Sequence, residues 1–363
     1  MSYQVELAIT DKCNLGCKYC YVKNRNKVMT LETIKKVIPK LHNYVKKSGQ
    51  HKYSISYFGG EPLMNFELIK DAYEIFNADE MCQEQCIISN GSLLNKEIYS
   101  WIKTHKIGFS WSFDGKNSNI SRPLLPIKEN KGFKDILSVY ENIRDEILDI
   151  SGYCVHAMIY PENLDDIVEN FEYLIDKWNI QHIGYSLVRD DVWTTEDVLK
   201  FSKLAKELRI KYVEHLKHHE NISCDLFEHC LLDNYSALKG VKLTQMCFAG
   251  VQGCGISPDG EFYGCQRFAT QNQFKLSDYN IKDIEKNMTL SHNTTCLKCN
   301  IKNFCHSMCA YSIVRNNNVP ITSVCDMLKI RVRESIELLH EMSNDEWFAK
   351  KLFNMQNAFV KEC

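Results

Sequence analysis

Three cysteines near the start of the chain have a spacing that suits metal chemistry. Cys13, Cys17 and Cys20 form a C-x3-C-x2-C pattern within the stretch TDKCNLGCKYCYV. An iron-sulfur cube needs one ligand for each iron, and cysteine thiolate is the usual protein ligand. A loop that offers only three thiolates leaves the fourth iron open to an outside ligand. The alternative is a zinc site completed by a histidine, but the closest histidine is His42, so the pattern favours the cube.

The elements that would position this loop alternate between two kinds. Short β-rich runs bounded by Gly, Asn or Pro are followed by longer stretches with the helical spacing of apolar residues. The predicted strands begin at Tyr3, Lys52, Gln85, Ile107, Gly152 and Ile180. The predicted helices lie near residues 31 to 48, 65 to 77, 95 to 105, 132 to 149, 163 to 178 and 194 to 219. Such βα units need crossover connections, and they predict a parallel α/β sheet, either open and doubly wound or closed, fully or partly, into a barrel.

The loops after the predicted strands carry the residues most suited to chemistry. In a βα barrel the reactive groups lie in the loops that follow the carboxyl ends of the strands. Four such loops are unusual here: the cysteine loop after strand one, GGEP at Gly59 to Pro62 after strand two, SNG at Ser89 to Gly91 after strand three, and SFDG at Ser112 to Gly115 after strand four. We expect these loops to converge on one face.

Cysteine is the one extreme feature of the composition. The chain has 363 residues, of which 17 are cysteine, and a formal net charge of -2. The N-terminus lacks a basic region followed by a long apolar run, and no stretch approaches the roughly 18 apolar residues that span a bilayer. We therefore expect a soluble cytoplasmic protein with no membrane partner, in which metal ligation explains the cysteines better than disulfides do. The charge disfavours a nucleic-acid partner.

A second group of cysteines occupies the C-terminal third. Its eight members are Cys247, Cys254, Cys265, Cys296, Cys299, Cys305, Cys309 and Cys325, and four of them form a C-x2-C-x5-C-x3-C run. Eight thiolates suit two four-thiolate metal sites. A pair of zinc ribbons is the alternative.

Taken together, these motifs resemble those of the radical S-adenosylmethionine enzymes, whose signature is C-x3-C-x-aromatic-C, here with Tyr19 as the aromatic residue. GGEP, SNG and SFDG also look like family motifs at the strand ends. The resemblance implies a partial (β/α)6 TIM-like barrel in which Cys13, Cys17 and Cys20 hold a 4Fe-4S cluster. It further implies that S-adenosylmethionine chelates the open iron and is reductively cleaved to a 5'-deoxyadenosyl radical, which abstracts hydrogen from the substrate. A flavodoxin- or ferredoxin-type protein would donate the electron.

The same resemblance implies which residues contact S-adenosylmethionine. Tyr19 would lie near the adenine, and Ser112 and Asp114 near the ribose or the methionine moiety. The GGEP loop would meet the methionine amino group by close backbone approach, which glycine permits, and a bidentate guanidinium suits Arg122 to the carboxylate. The full implied set is Tyr19, Gly59, Gly60, Glu61, Asn90, Ser112, Asp114 and Arg122. No catalytic acid or base is assigned.

The C-terminal cysteines resemble the SPASM extension that follows some of these barrels, whose pattern of seven cysteines the sequence fits at every position. This resemblance implies two auxiliary 4Fe-4S clusters, and thus three clusters in all. The first would be held by Cys247, Cys254, Cys265 and Cys309, and the second by Cys296, Cys299, Cys305 and Cys325. Cys254 is not part of the seven-cysteine signature, and without it the first auxiliary cluster has an open iron for substrate.

The implied domains are a core at 1–225, a connection at 226–246, the SPASM domain at 247–330 and a closing C-terminal helix at 331–363.

The substrate is the least determined part of the prediction. Enzymes with this extension commonly modify peptides or proteins, but sulfatase maturases carry an aspartate where Gln266 follows Cys265, and glutamine cannot act as a general base. Because the first cysteine already stands at position 13, we expect no leader-binding extension. We expect a radical oxidoreductase or lyase that acts on a peptide or protein side chain, with auxiliary clusters that accept an electron or bind substrate. The alternatives are a small-molecule lyase or dehydrogenase, acting on a modified nucleobase such as queuine or on an amino sugar, and a non-catalytic iron-sulfur electron-transfer protein.

Overall fold

A computed structural model describes residues 2–22, 26–150, 153–228, 230–231, 247–278, 294–302, 309–317 and 319–362. The chain separates into two compact units. The first consists of Met1–Val155 and Phe248–Glu285, and the second of His156–Cys247 and Lys286–Cys363.

Strands and helices alternate through the first two hundred residues. The described strands are β1 (Tyr3–Thr10), β2 (Tyr53–Gly59), β3 (Cys82–Ser89), β4 (Gly108–Ser112), β5 (Tyr153–Ile159), β6 (His182–Leu187), β7 (Ser223–Cys224), β8 (Gly253–Ile256) and β9 (Phe262–Tyr263). The described helices are α1 (Leu31–Lys47), α2 (Phe66–Asn77), α3 (Lys96–His105), α4 (Ser118–Ser121), α5 (Ile136–Asn142), α6 (Arg144–Leu148), α7 (Ile167–Asp176), α8 (Thr195–Lys217), α9 (Gln266–Ala269), α10 (Thr294–Leu297), α11 (Ala310–Arg315), α12 (Thr322–Glu341) and α13 (Glu346–Glu362).

Strand β1 lies between two parallel neighbours in the first unit. The strand order there is β4-β3-β2-β1-β8-β9, and the pairs are parallel except for β8 with β9. The register places Val5 opposite Ile55 of β2 and Cys254 of β8. The odd-numbered residues of β1 are buried, whereas Gln4 is exposed and Glu6 is partly exposed. Since side chains alternate between the faces of a strand, Glu6 belongs to the face opposite the apolar one.

Helix α1 of the first unit shows the apolar spacing that predicts a helix. In α1, buried Ile34, Val37, Leu41 and Val45 recur at intervals of three and four residues, which places them on one face. The helix begins where the Thr30 side chain accepts a hydrogen bond from the backbone N–H of Thr33, the usual arrangement at a helix N-terminus.

In the second unit, strand β6 pairs with β7 in parallel. Helices α8 and α12 pack together and share a buried ion pair, in which Arg209 Nε lies 3.0 Å from Glu334 Oε2. Arg331 of α12 donates from Nε to the carbonyl of Leu226 at 2.9 Å. The C-terminal segment therefore forms two helices, the first of which is fixed to α8.

The predicted fold class is confirmed, since the sheet is mostly parallel and open, as expected for a partial barrel. The third strand begins earlier than predicted, at Cys82. The helix predicted over residues 132 to 149 is divided into α5 and α6 at Ile143, whose φ of -120° and ψ of 13° lie outside the helical region. Among the described residues no helix is both long and apolar enough to cross a membrane.

Candidate functional site

The cysteine loop begins where β1 ends. Cys13, Cys17 and Cys20 are all partly exposed. The backbone N–H of Cys20 donates to the carbonyl of Cys17 at 3.1 Å, which closes a turn. The N–H of Leu15 donates to Cys13 Sγ at 3.4 Å. The three thiols therefore lie on one short ordered loop, at the carboxyl end of a central strand.

A segment that follows β4 runs alongside this loop. Gly16 donates from its backbone N–H to the carbonyl of Pro123 at 2.8 Å, and Lys18 donates to the carbonyl of Ser121 at 2.9 Å. In the other direction, Leu125 donates to the carbonyl of Asn14 at 3.0 Å. These bonds hold residues 14–18 against residues 121–125.

The two glycines of GGEP bring the end of β2 into direct contact with the cysteine loop. Gly60 donates from its N–H to the carbonyl of Thr10, and Glu61 donates to the carbonyl of Lys12, both at 2.7 Å. A Cβ atom on Gly59 would lie 2.1 Å from the oxygen of Thr10, and one on Gly60 would lie 2.1 Å from the oxygen of Lys12. No side chain fits at these distances. These glycines thus allow a close backbone approach to the chain's own cysteine loop, whereas the approach implied by the resemblance is to the methionine amino group.

The Glu61 side chain joins the ends of β2 and β3. Its carboxylate is completely buried. It accepts hydrogen bonds from the N–H of Leu63 at 2.9 Å, the hydroxyl of Ser89 at 2.8 Å and the N–H of Asn90 at 2.8 Å. Burial raises the pKa of this carboxyl to about 7, although the three donors oppose that rise. Glu61 therefore fixes the two loops relative to each other.

The raised pKa of Glu61 predicts a pH dependence of stability. Between its ordinary value of 4.5 and about 7, the folded protein holds a proton that the unfolded chain has released. Unfolding free energy therefore falls as pH rises through this window, by about 3 kcal/mol from this group. Glu61→Gln stays neutral throughout, so the stability of wild type relative to this variant should fall by that amount between pH 4.5 and 7. Denaturant unfolding at several pH values measures the difference, with Glu67→Gln on the exposed face of α2 as the control; a difference that does not change with pH would contradict the assignment.

A buried amide network supports the first cysteine. Asn14 donates from Nδ2 to Ser92 Oγ at 2.7 Å and to Asn130 Oδ1 at 2.9 Å. Asn90 donates to Asn14 Oδ1 at 2.9 Å, and its Nδ2 lies 3.9 Å from Cys13 Sγ. Sequence reasoning selected Asn90 but missed Asn14, whose only signal was its place beside Cys13.

A buried ion pair lies beside the second half of the cysteine loop. Arg122 contacts Asp114 through Nη2 at 3.0 Å and through Nε at 2.9 Å. The same carboxylate accepts the hydroxyl of Ser121 at 2.6 Å and the hydroxyl of Tyr19. The Arg122 guanidinium lies over the Tyr19 ring, 5.3 Å from its centroid. Three of the predicted cofactor residues are thus brought together, and Ser121 joins them without having been predicted.

The remaining predicted cofactor residue, Ser112, is partly exposed at the end of β4. Its carbonyl accepts a hydrogen bond from Tyr140 at 3.4 Å. Tyr140 packs edge-on against Trp111 and Phe113, which stack on each other with ring centroids 4.3 Å apart. This aromatic cluster holds the end of β4 in place.

The cysteine loop fits an iron-sulfur cluster by donor type. Its three partly exposed thiols are the ligands such clusters use. In the described part of the chain, no three His, Cys, Asp or Glu side chains meet closely enough to hold a metal ion. The loop backbone is fixed by the bonds above, whereas each thiol turns about a single χ1 torsion. The fit of the loop to a cluster therefore rests on the type of its three donors, which are thiols, and on their place in one short loop after β1.

The C-terminal cysteines lie on several elements. In the first unit, Cys254 is in β8 and Cys265 directly precedes α9. In the second unit, Cys296 is in α10, Cys309 directly precedes α11, and Cys325 is in α12. Cys247 and Cys299 are also described and are partly exposed. Cys305 lies outside the described residues, as does Cys363.

A polar cluster surrounds the residue after Cys265. The N–H of Gln266 donates to the Glu6 carboxylate at 3.0 Å, and the Gln266 side chain donates to the carbonyls of Glu6 at 2.5 Å and Ile256 at 3.0 Å. Burial raises the pKa of Glu6 to about 6. The Arg267 guanidinium lies over the ring of Tyr21, 5.5 Å from its centroid. Sequence reasoning missed Glu6 because a carboxylate inside a strand pattern carries no signal of its own.

Known proteins are similar to this chain in sequence and in fold. Residues 7–174 match the family model of the Radical SAM superfamily. The radical SAM cyclopropyl synthase TigE of Paramaledivibacter caminithermalis is 25% identical, over 92% of this chain and 74% of its own length.

Two solved structures show the fold. Native anSMEcpe with bound AdoMet superposes with a TM-score of 0.72 at 16% identity, and the match covers 94% of this chain and 100% of that one. Streptococcus suis SuiB bound to its precursor peptide SuiA superposes with a TM-score of 0.55 at 17% identity, covering 87% of this chain and 73% of that one. At these identities the likeness is one of fold.

Proposed function

Residues 7–174 of this chain are a radical S-adenosylmethionine domain, and from that premise we propose that the protein is an enzyme that modifies a side chain of a peptide or protein by radical chemistry. The cysteine loop is the observation that supports the radical chemistry. Its three thiols lie on a backbone that is held by Gly60 and Glu61, at the carboxyl end of β2, and by residues 121–125. The choice of a peptide is supported by the fold shared with SuiB, which was solved with a precursor peptide. An external flavodoxin- or ferredoxin-type electron donor and a cytoplasmic location complete the proposal.

Cys13, Cys17 and Cys20 would hold a 4Fe-4S cluster and leave one coordination position for S-adenosylmethionine. When bound, the two groups supply a 5'-deoxyadenosyl radical that abstracts hydrogen. The chain's own part is to hold the loop: Gly60 and Glu61 bind its backbone through two hydrogen bonds of 2.7 Å. A loop that does not move keeps the reacting atoms at a fixed separation, which lowers the barrier to their reaction.

The residues that would contact S-adenosylmethionine fall into two groups. Tyr19, Asp114 and Arg122 form the buried charged group beside the loop. Because Arg122 contacts Asp114 through Nε and Nη2, we assign its other amino group, Nη1, to the cofactor's carboxylate. The strand-end residues Gly59, Gly60, Glu61, Asn90 and Ser112 would shape the surface on which the cofactor lies.

Two auxiliary 4Fe-4S clusters would lie in the C-terminal region. By the resemblance, Cys247, Cys254, Cys265 and Cys309 would hold the first, and Cys296, Cys299, Cys305 and Cys325 the second. An auxiliary cluster able to accept one electron suits an oxidation in which a substrate radical must lose one. The residue after Cys265 is Gln266, which binds Glu6 and two carbonyls and is not a base.

The test separates a peptide substrate from a small molecule. Anaerobically reduced enzyme is incubated with S-adenosylmethionine and host-cell extract divided by size, and release of 5'-deoxyadenosine above the uncoupled background is measured. We expect the peptide fraction to stimulate release and protease treatment to remove the stimulation. The Cys13→Ala/Cys17→Ala/Cys20→Ala variant is the control for release that does not depend on the enzyme.

Stimulation by the small-metabolite fraction alone, unchanged by protease, would contradict the peptide assignment. It would favour a small-molecule lyase or dehydrogenase built on the same domain. The radical chemistry would stand in that case, because release of 5'-deoxyadenosine reports the cleavage itself.

A further inference from the structure

We infer that the side-chain amide of Asn90 donates a hydrogen bond to the sulfur of Cys13, and that this bond raises the reduction potential of the cluster that the cysteine loop would hold. Asn14 and Ser92 are positioning residues that act through Asn90. The inference rests on the radical chemistry of the proposed function, and it identifies the side chain of this protein that adjusts the first electron transfer.

The side chain of Asn90 uses its hydrogen-bonding capacity within the protein. An asparagine amide has two N–H donors and an oxygen with two lone pairs. Its oxygen, Oδ1, accepts from the backbone N–H of Ser92 at 2.9 Å and from the Ser92 hydroxyl at 2.6 Å. Its nitrogen, Nδ2, donates to Asn14 Oδ1 at 2.9 Å and lies 3.9 Å from Cys13 Sγ. The four positions are thus used inside the protein, and the amide keeps no donor or acceptor for S-adenosylmethionine.

The neighbours of this amide determine which way round it lies. The backbone N–H of Ser92 can only donate, so the amide atom that it meets is the oxygen. Asn14 uses its own Nδ2 to donate to Ser92 Oγ at 2.7 Å and to Asn130 Oδ1 at 2.9 Å, and therefore turns its oxygen toward Asn90. A flipped Asn90 amide would bring two oxygens face to face. Its nitrogen is consequently directed at Asn14 and Cys13.

The sulfur of Cys13 receives N–H donors from two directions. The backbone N–H of Leu15 donates to it at 3.4 Å, and Asn90 Nδ2 approaches it at 3.9 Å. The sulfur of Cys20 instead lies 3.8 Å from the carbonyl oxygen of Val22, which is an acceptor. A separation of 3.9 Å is long for a neutral thiol, but a thiolate attracts an N–H more strongly, because hydrogen bonds to charged groups are shorter and about twice as strong.

Hydrogen bonds to the sulfurs are among the factors that set the reduction potential of an iron-sulfur cluster. Uptake of one electron from the external donor makes the sulfurs more negative, and no bond forms or breaks in that step. An N–H directed at Cys13 Sγ therefore stabilises the reduced state more than the oxidised state. Asn90 would in this way ease reduction by the flavodoxin- or ferredoxin-type donor.

The experiment measures the reduction potential in the absence of S-adenosylmethionine, so that a direct contact with the cofactor could not change it. Reconstituted full-length protein is titrated anaerobically with dithionite and followed by EPR spectroscopy. The loop cluster is the signal that the Cys13→Ala/Cys17→Ala/Cys20→Ala variant lacks. Asn90→Leu, which is neutral and of similar size, should lower the equilibrium constant for one-electron reduction about tenfold, or about 59 mV.

A second variant and a matched control complete the experiment. Asn90→Asp keeps the oxygen that accepts from Ser92 and should lower the potential as well, which keeps the test available if Asn90→Leu does not fold. Asn130→Leu removes another buried amide of the same network, 7% exposed like Asn90. It leaves the four contacts of Asn90 in place and should leave the potential unchanged.

The outcomes separate this inference from the proposed function. An unchanged potential in both Asn90 variants, or an equal shift in Asn130→Leu, would overturn the inference while the loop cluster stands. A wild-type protein without any EPR signal that depends on Cys13, Cys17 and Cys20 would refute the loop cluster of the proposed function, and the inference with it.

Discussion

Replacing Cys13, Cys17 and Cys20 together by alanine should abolish reductive cleavage of S-adenosylmethionine and remove about four of roughly twelve irons. The three residues supply the only cysteines of the loop after β1, and the loop backbone is held by bonds that do not involve the thiols, including those from Gly60 and Glu61. The variant should therefore keep its fold and its auxiliary iron. Production of 5'-deoxyadenosine under anaerobic reduction, together with iron analysis, makes the measurement.

The control for the triple replacement is Cys82→Ala, a partly exposed thiol at the start of β3 and outside every predicted ligand set. It should leave both cleavage and iron content unchanged. Cleavage that persists in the triple variant would refute the assignment of the cofactor to this loop.

Asp114→Ala should destabilise the first unit and weaken the binding of S-adenosylmethionine at the same time. The Asp114 side chain has 0% of its surface exposed and that of Arg122 has 6%. Removal of the carboxylate leaves a buried guanidinium and two hydroxyls, of Tyr19 and Ser121, without their acceptor. Loss of one partner of a buried pair costs about 3–5 kcal/mol. Denaturant unfolding measures the stability, and equilibrium dialysis with labelled S-adenosylmethionine measures the affinity.

A double variant separates the two effects. Asp114→Leu/Arg122→Met removes both charges and fills the space with apolar atoms, a change that often restores the stability of a buried pair. We expect most of the unfolding free energy to return, whereas the affinity for S-adenosylmethionine stays lower by about tenfold or more, which is about 1.4 kcal/mol. Wild-type affinity in the double variant would show that the pair is structural only.

The strand ends were predictable because each carries a local signal. The alternation of buried residues in β1 and the glycines after β2 are properties of a few adjacent residues, and the structure has them where the sequence predicts. The GGEP and SFDG loops could therefore be found before any fold was known. What those residues contact could not be found in this way.

The contacts that were missed join residues far apart in the chain. Asn14 meets Asn130 across 116 positions, and the Glu6 carboxylate meets Gln266 across 260 positions. Strand β8 pairs with β1 although it has only four residues, too few for a periodic pattern to mark it. The break at Ile143 has a similar origin, because the apolar spacing of residues 132 to 149 suits a continuous helix and tertiary packing decides otherwise.

The pairing of β1 with β8 also fixes the order in which this molecule can be completed on the ribosome. Residues 1–125 already contain β1, β2, β3, β4 and every bond that holds the cysteine loop to residues 121–125. The other edge of β1 has no partner until residues 253–256 have been made. At about 5–20 residues per second, the roughly 250 residues from the end of β1 to the end of β8 take roughly 12 to 50 s to make. For that time the nascent chain presents an unpaired parallel edge next to the cysteine loop, and an edge of this kind is where another chain can add.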